Sequence, residues 1–138
     1  MATSTTLSIR VPTETRRWLE RFSQSRGSAG AAAARLVEEA KRREMFRAIE
    51  FRDTPFGRVA WVQGTRIQAA FAWLTARDYG FDAGKVARHF TWPLWKAESV
   101  LGYAQTYRDE IEKDAQALES TDFGSLKQRL PGLKLSEV

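Results

Sequence analysis

The sequence predicts a mostly α-helical chain with short β-strands. A strand–helix–helix unit spans residues 1–46, a small three-helix domain opened by a β-hairpin spans 47–118, and a tail spans 119–138. Three observations predict this. Residues 6–11 alternate polar and apolar with period two. Two stretches with helical spacing follow, separated by Gly27-Ser28. From residue 48 the pattern becomes two short alternating runs and then helical stripes again. A length of 138 residues suits one domain or two very small ones.

In Thr6-Leu7-Ser8-Ile9-Arg10-Val11 the period of two places Leu7, Ile9 and Val11 inward and Thr6, Ser8 and Arg10 outward. Pro12 ends the strand. Thr13 is the expected N-cap of the first helix, with Glu14 favoured in its first turn by the helix dipole. Trp18, Leu19 and Phe22 carry the apolar stripe, and Gly27 is the expected C′ residue. Ser28 reads as the cap of a second helix that runs through Ala31–Ala34, Leu36, Val37 and Ala40 to about Met45. The alanines serve helix propensity or close helix approach.

A unit with a single strand leaves its ladder groups unpaired and one face uncovered. A second copy remedies both: two strands pair about a two-fold axis over four helices, and Thr6, Ser8 and Arg10 of each share one exposed ribbon. Leu7-Ser8-Ile9-Arg10-Val11-Pro12, a helix, Gly27-Ser28 and a second helix resemble the ribbon-helix-helix fold of Arc, MetJ and CopG-type repressors. The resemblance covers about the first 45 residues. It implies a homodimer whose ribbon enters the major groove of double-stranded DNA, while the helix start at Gly27, Ser28 and Ala29 holds the phosphate backbone.

Beyond residue 48, Ile49 with Phe51 and Val59 with Trp61 predict two strands around Asp53-Thr54-Pro55-Phe56-Gly57. Gly64 ends the second strand and Thr65 is the expected cap of a helix striped by Ile67, Ala70, Phe71 and Leu74. Tyr79-Gly80-Phe81 makes a turn, and Asp82 caps a short helix through Val86 and Phe90. Thr91-Trp92-Pro93 makes another break, with Pro93 suited to a first helical turn. One long helix then carries Leu94, Val100, Leu101 and Tyr103 to about Leu118. The stretch from Asp53 to Ile111, with Gly64-Thr65-Arg66-Ile67 its most recognisable tetrad, resembles a trihelical, helix-turn-helix-like domain of VapB-type bacterial antitoxins. The match covers about residues 47–115. It departs from that family in Trp92 and Trp95, where smaller or aliphatic residues are expected. The resemblance implies a PIN-like ribonuclease toxin as partner.

The tail has no clear period, yet Phe123, Leu126, Leu130 and Leu133 punctuate it, more apolar residues than a disordered tail carries. These four, with Trp92 and Trp95 as a protein-binding anchor, are the expected toxin contacts. For the tryptophans the plainer alternative is core packing.

The chain has no cysteine and one histidine, His89. That excludes disulfides, thiol catalysis and cysteine zinc sites. No cofactor or metal is expected. Asp109, Glu110, Glu112 and Asp114 spread around one helix and read as a solvated face, not an acid–base pair, so no enzyme is expected. The opening residues lack a signal-peptide pattern and no apolar run is long enough for a membrane span, so a cytoplasmic protein without membrane contact is expected.

Lysine and arginine exceed aspartate and glutamate by five, with a net +5 in residues 1–48, +2 in 49–92 and −2 in 93–138. A basic front suits a polyanion, although it also suits plain solubility. Arg10 is the expected base-reading residue, since its guanidinium can fork onto guanine. Lys96 and Ser99, early in the long helix, are candidates for a second DNA contact, against which the acidic surroundings weigh. Lys41, Arg42 and Arg43 suit the end of the second helix, and Arg66 a structural ion pair. The expectation is an operator-binding homodimeric antitoxin and autorepressor. Two alternatives are a regulator without a toxin and a dimeric adaptor that never touches DNA.

Overall fold

The structure, a computed structural model, describes residues 3–23, 27–55 and 57–120. Among the described residues the chain is mostly helical, with one short antiparallel sheet. The order is two helices, a hairpin and four helices. It divides into two compact units, Met1–Lys41 and Arg42–Val138.

In the first unit the expected strand over residues 6–11 is not formed. Residues 3–12 adopt no regular element and are exposed, and Leu7, at 78%, is far from the inward position that its period predicts. Ile9 and Val11 are exposed as well. The physical reason is the one that made the strand incomplete: within one chain no second strand lies beside it to pair its N–H and C=O groups, and exposed groups are left to solvent.

Helix α1 spans Thr13–Phe22. Pro12 rather than Thr13 occupies the cap, because its φ of −56° is already helical in sign while its ψ of 150° keeps it outside the helix. The helix ends earlier than expected. Ser23 is its C-cap, with its hydroxyl donating to the Glu20 carbonyl at 2.9 Å, so Gly27 is not the C′ residue. Gly27 stands four residues further on with φ +105°. Helix α2 spans Ala29–Met45 as expected. Ser28 caps it: its Oγ accepts from the Ala31 N–H at 3.1 Å and its carbonyl from the Ala32 N–H at 3.0 Å. The last turn of α2, from Arg42, belongs to the second unit.

That unit opens with the expected hairpin. Strands β1, Ile49–Thr54, and β2, Gly57–Val62, pair antiparallel from Ile49 opposite Val62 to Thr54 opposite Gly57. Phe56 in the turn lies outside the described residues. Gly64 turns the chain with φ +74°, a conformation open to glycine at little cost. Thr65 does not cap a helix. Its hydroxyl donates to the Val62 carbonyl at 2.8 Å and accepts from the Ile67 N–H at 3.0 Å, which closes the turn and leaves the cap to Gln68.

Helix α3, Ala69–Asp78, buries Ala69, Ala70, Ala72, Trp73 and Ala76. The expected stripe is thereby corrected: Ile67 precedes the helix, Leu74 is half-buried and Phe71 is exposed. Four small residues let the neighbouring elements approach, and Trp73 fills the space between. Helix α4, Ala83–Phe90, is capped by Asp82, whose Oδ1 accepts from the Lys85 N–H at 2.9 Å. Thr91 ends it at φ 58°.

The single long helix expected to about Leu118 is two. Helix α5, Leu94–Thr106, starts after Pro93, which sits at the cap rather than in the first turn. Tyr107 breaks it at φ −112°, ψ 44°, and helix α6, Arg108–Ser120, follows. The break lets Tyr107 pack on Phe46 and Tyr103 and turns Ile111 and Ala115 into buried positions. The Thr106 hydroxyl, bonded to the Gly102 carbonyl at 2.8 Å, assists the bend. This unit therefore has four helices, not three. Its core gathers Ile49, Val62, Trp73, Val86, Val100, Leu101, Tyr103 and Ile111. Among the described residues no helix is long and apolar enough to cross a membrane.

Candidate functional site

In the first unit, Thr6, Ser8 and Arg10 are all exposed on residues 3–12, and Arg10 makes no ion pair among the described residues. The α2 start presents Gly27, Ser28 and Ala29, with the Ser28 hydroxyl engaged in the cap and no acid in the first turn. Trp18 is exposed and stacks on Phe22 with centroids 5.5 Å apart, and Val37 is exposed on α2. The unit thus carries several uncovered apolar side chains, Leu7, Ile9 and Val11 alternating in sequence with the three polar ones suited to hydrogen bonding.

In the second unit the expected DNA candidates separate. Ser99 is held from within: its Oγ accepts from the Ala48 N–H at 3.1 Å. The Lys96 ammonium lies 5.5 Å from the Trp92 ring centroid. Trp92 is half-buried against the core and stacks on Phe90, centroids 4.4 Å apart and planes 21° apart. Phe90 also approaches Phe71 at 6.4 Å and takes the His89 ring edge-on at 4.7 Å. His89 Nδ1 is hydrogen-bonded to Tyr79 Oη at 2.8 Å. Trp95, by contrast, is 55% exposed, beside an exposed Leu94. The two tryptophans therefore play different parts, Trp92 structural and Trp95 open. The row of rings joining α3, α4 and the turn before α5 was not legible in the sequence, because its members are scattered from Phe71 to Trp92. The toxin candidates Phe123, Leu126, Leu130 and Leu133 lie outside the described residues.

Two charged groups depart from expectation. Arg42 does not decorate the end of α2. It is buried, its guanidinium donates to both Glu110 oxygens at 2.7 and 3.1 Å and to Tyr103 Oη at 3.1 Å, and it lies 3.7 Å from the Tyr107 centroid. Burial by itself weakens its hold on the proton. The hydrogen bonds and charges of Glu110 and Tyr103 more than offset that and keep it above the ordinary arginine value. Arg66, expected in an ion pair, is exposed and makes none among the described residues. Nor are the α6 carboxylates only a solvated face. Glu110 holds Arg42, and Glu112 accepts from Trp73 Nε1 at 3.1 Å beside Arg77 at 3.7 Å. Among the described residues no cluster of three or more histidines and carboxylates could hold a metal ion.

Comparison with protein-family models, with curated proteins and with solved structures gives no match.

Proposed function

We propose that the chain is a homodimeric, operator-binding antitoxin of the VapB type. Its first unit completes a ribbon-helix-helix with a second copy, and its helix-turn-helix-like second unit and tail neutralise a PIN-like ribonuclease in the cytoplasm. One observation carries the reading: Leu7, Ile9 and Val11, apolar at alternate positions, stand exposed in the single chain beside Thr6, Ser8 and Arg10. Pairing with a twin covers the first set and displays the second. Trp18 on α1 and Val37 on α2 are uncovered as well. The start of α2, capped by Ser28 and without an acid in its first turn, and the basic excess of residues 1–48 fit a DNA backbone.

The experiment is a mobility-shift titration against the DNA upstream of the chain's own gene, with sedimentation in parallel. Arg10→Ala is expected to weaken operator binding by about 1–3 kcal/mol with the dimer preserved. A native protein that binds no DNA, or one that is monomeric at micromolar concentration, overturns the reading. Co-expression with a neighbouring ribonuclease tests the other half: deletion of residues 119–138 should abolish neutralisation and leave DNA binding intact.

A further inference from the structure

The bend between α4 and α5 combines two features. The first is apolar: Leu94 and Trp95 are exposed at the start of α5, and the ring row reaches the surface again at Phe71 on α3. The second is charge. From Ala83 to Ala97 the sequence has Lys85, Arg88 and Lys96 and no carboxylate, although residues 93–138 as a whole are acidic. Lys85 and Arg88 are exposed and form no ion pair among the described residues. Between the flanking Asp82 and Glu98, these three cations thus stand without an ion pair among the described residues, whereas Arg42, Arg52, Arg58 and Arg77 of the same unit have carboxylate partners.

We propose that this bend is the docking surface for an acidic, apolar-anchored segment of a partner protein. Apolar side chains of that segment cover Leu94, Trp95 and Phe71, and its carboxylates meet Lys85, Arg88 and Lys96. Exposed Trp beside a rim of charge is the anatomy of a protein contact. A single-stranded nucleic acid fits less well. It needs open ring faces for its bases, whereas Phe90 and Trp92 are turned face to face and the Lys96 ammonium sits over Trp92. Leu94 also offers a phosphodiester nothing. The inference rests on the protein-partner half of the function proposed above and is independent of the DNA half.

The test is an NMR titration of the full chain, following the indole N–H signals. Three probes are used: a blocked 15-residue peptide with leucines at helical spacing and glutamates elsewhere, the same peptide with lysine for glutamate, and a 15-nucleotide oligothymidylate. The glutamate peptide is expected to shift the Trp95 signal saturably and the lysine peptide not to. Trp95→Ala and Lys85→Glu, each checked for unchanged circular dichroism, are expected to weaken the glutamate peptide about tenfold. Equal binding of both peptides, tighter binding of the oligothymidylate, or no binding by any probe overturns the proposal. Co-expression separates this from the ribonuclease reading. If the glutamate peptide binds as expected but no neighbouring ribonuclease is neutralised, the docking surface stands and its partner is of another kind.

Discussion

Arg42 shows how one side chain can be essential to a fold while resembling surface decoration. Its partners Glu110 and Tyr103 lie 68 and 61 residues away in sequence, and together they tie the last turn of α2 to α5 and α6. Glu110 is about half exposed, so it tolerates loss of Arg42 better than the buried guanidinium tolerates loss of its carboxylate. Glu110→Leu is therefore expected to cost about 3 kcal/mol and Arg42→Met about 1–2 kcal/mol, read as shifts in the urea midpoint. The pH dependence follows from the sign of the shift. Because the folded state holds the Arg42 proton more tightly than the unfolded chain, its contribution is present at every pH below the ordinary arginine range and is lost only as pH rises through the folded value. Between pH 6 and 10, the wild-type and Arg42→Met stability curves should therefore run parallel. A second residue stores strain: Thr91 is β-branched at φ 58°. Thr91→Gly should raise stability by about 0.5–1 kcal/mol in the same assay.

At the scale of elements, caps and breaks decide the second unit. Asp82 ends the turn after α3 and starts α4 through one hydrogen bond, so Asp82→Ala should cost about 1 kcal/mol. The break at Tyr107 matters differently. It converts one long rod into α5 and α6 and lets α6 fold back so that Ile111 is buried and Glu112 reaches the Trp73 indole on α3. In the first unit the decisive segment is residues 6–11, which form no regular element. Under the proposed dimer, the double substitution Leu7→Lys/Ile9→Lys should convert the sedimenting species from dimer to monomer. Circular dichroism of the second unit should be unchanged.

At the scale of the molecule, the two units have unequal means of stability. The core cluster and the rings packed against it all fall between Phe46 and Ile111. Among its described residues the first unit buries only Leu19 and Ala32 of the hydrophobic ones, with Ser23 and Glu39. Under the proposed dimer, a unit so poor in buried apolar surface gains its stability from association. Calorimetry of the full chain should therefore show two transitions. The lower one should move up with protein concentration and the upper one should not. A single transition independent of concentration would contradict both the dimer and the independence of the units.

Local chemistry was legible in the sequence wherever a residue acts on its near neighbours. Ser28 and Asp82 cap the helices they were expected to cap, and the runs around Asp53–Gly57 pair in the expected hairpin, because cap and turn bonds span only a few residues. What the sequence reading missed was the direction in which side chains face and one break in a helix. Whether Arg42 meets water or Glu110, whether Phe71 or Trp73 enters the core, and whether the chain bends at Tyr107 all depend on surfaces brought together from distant parts of the chain. Tertiary packing decided them, since burial is a property of the neighbours and not of the residue. The same logic governs residues 6–11. Their alternation states which side chains want cover, but a strand comes into being only when another backbone lies beside it.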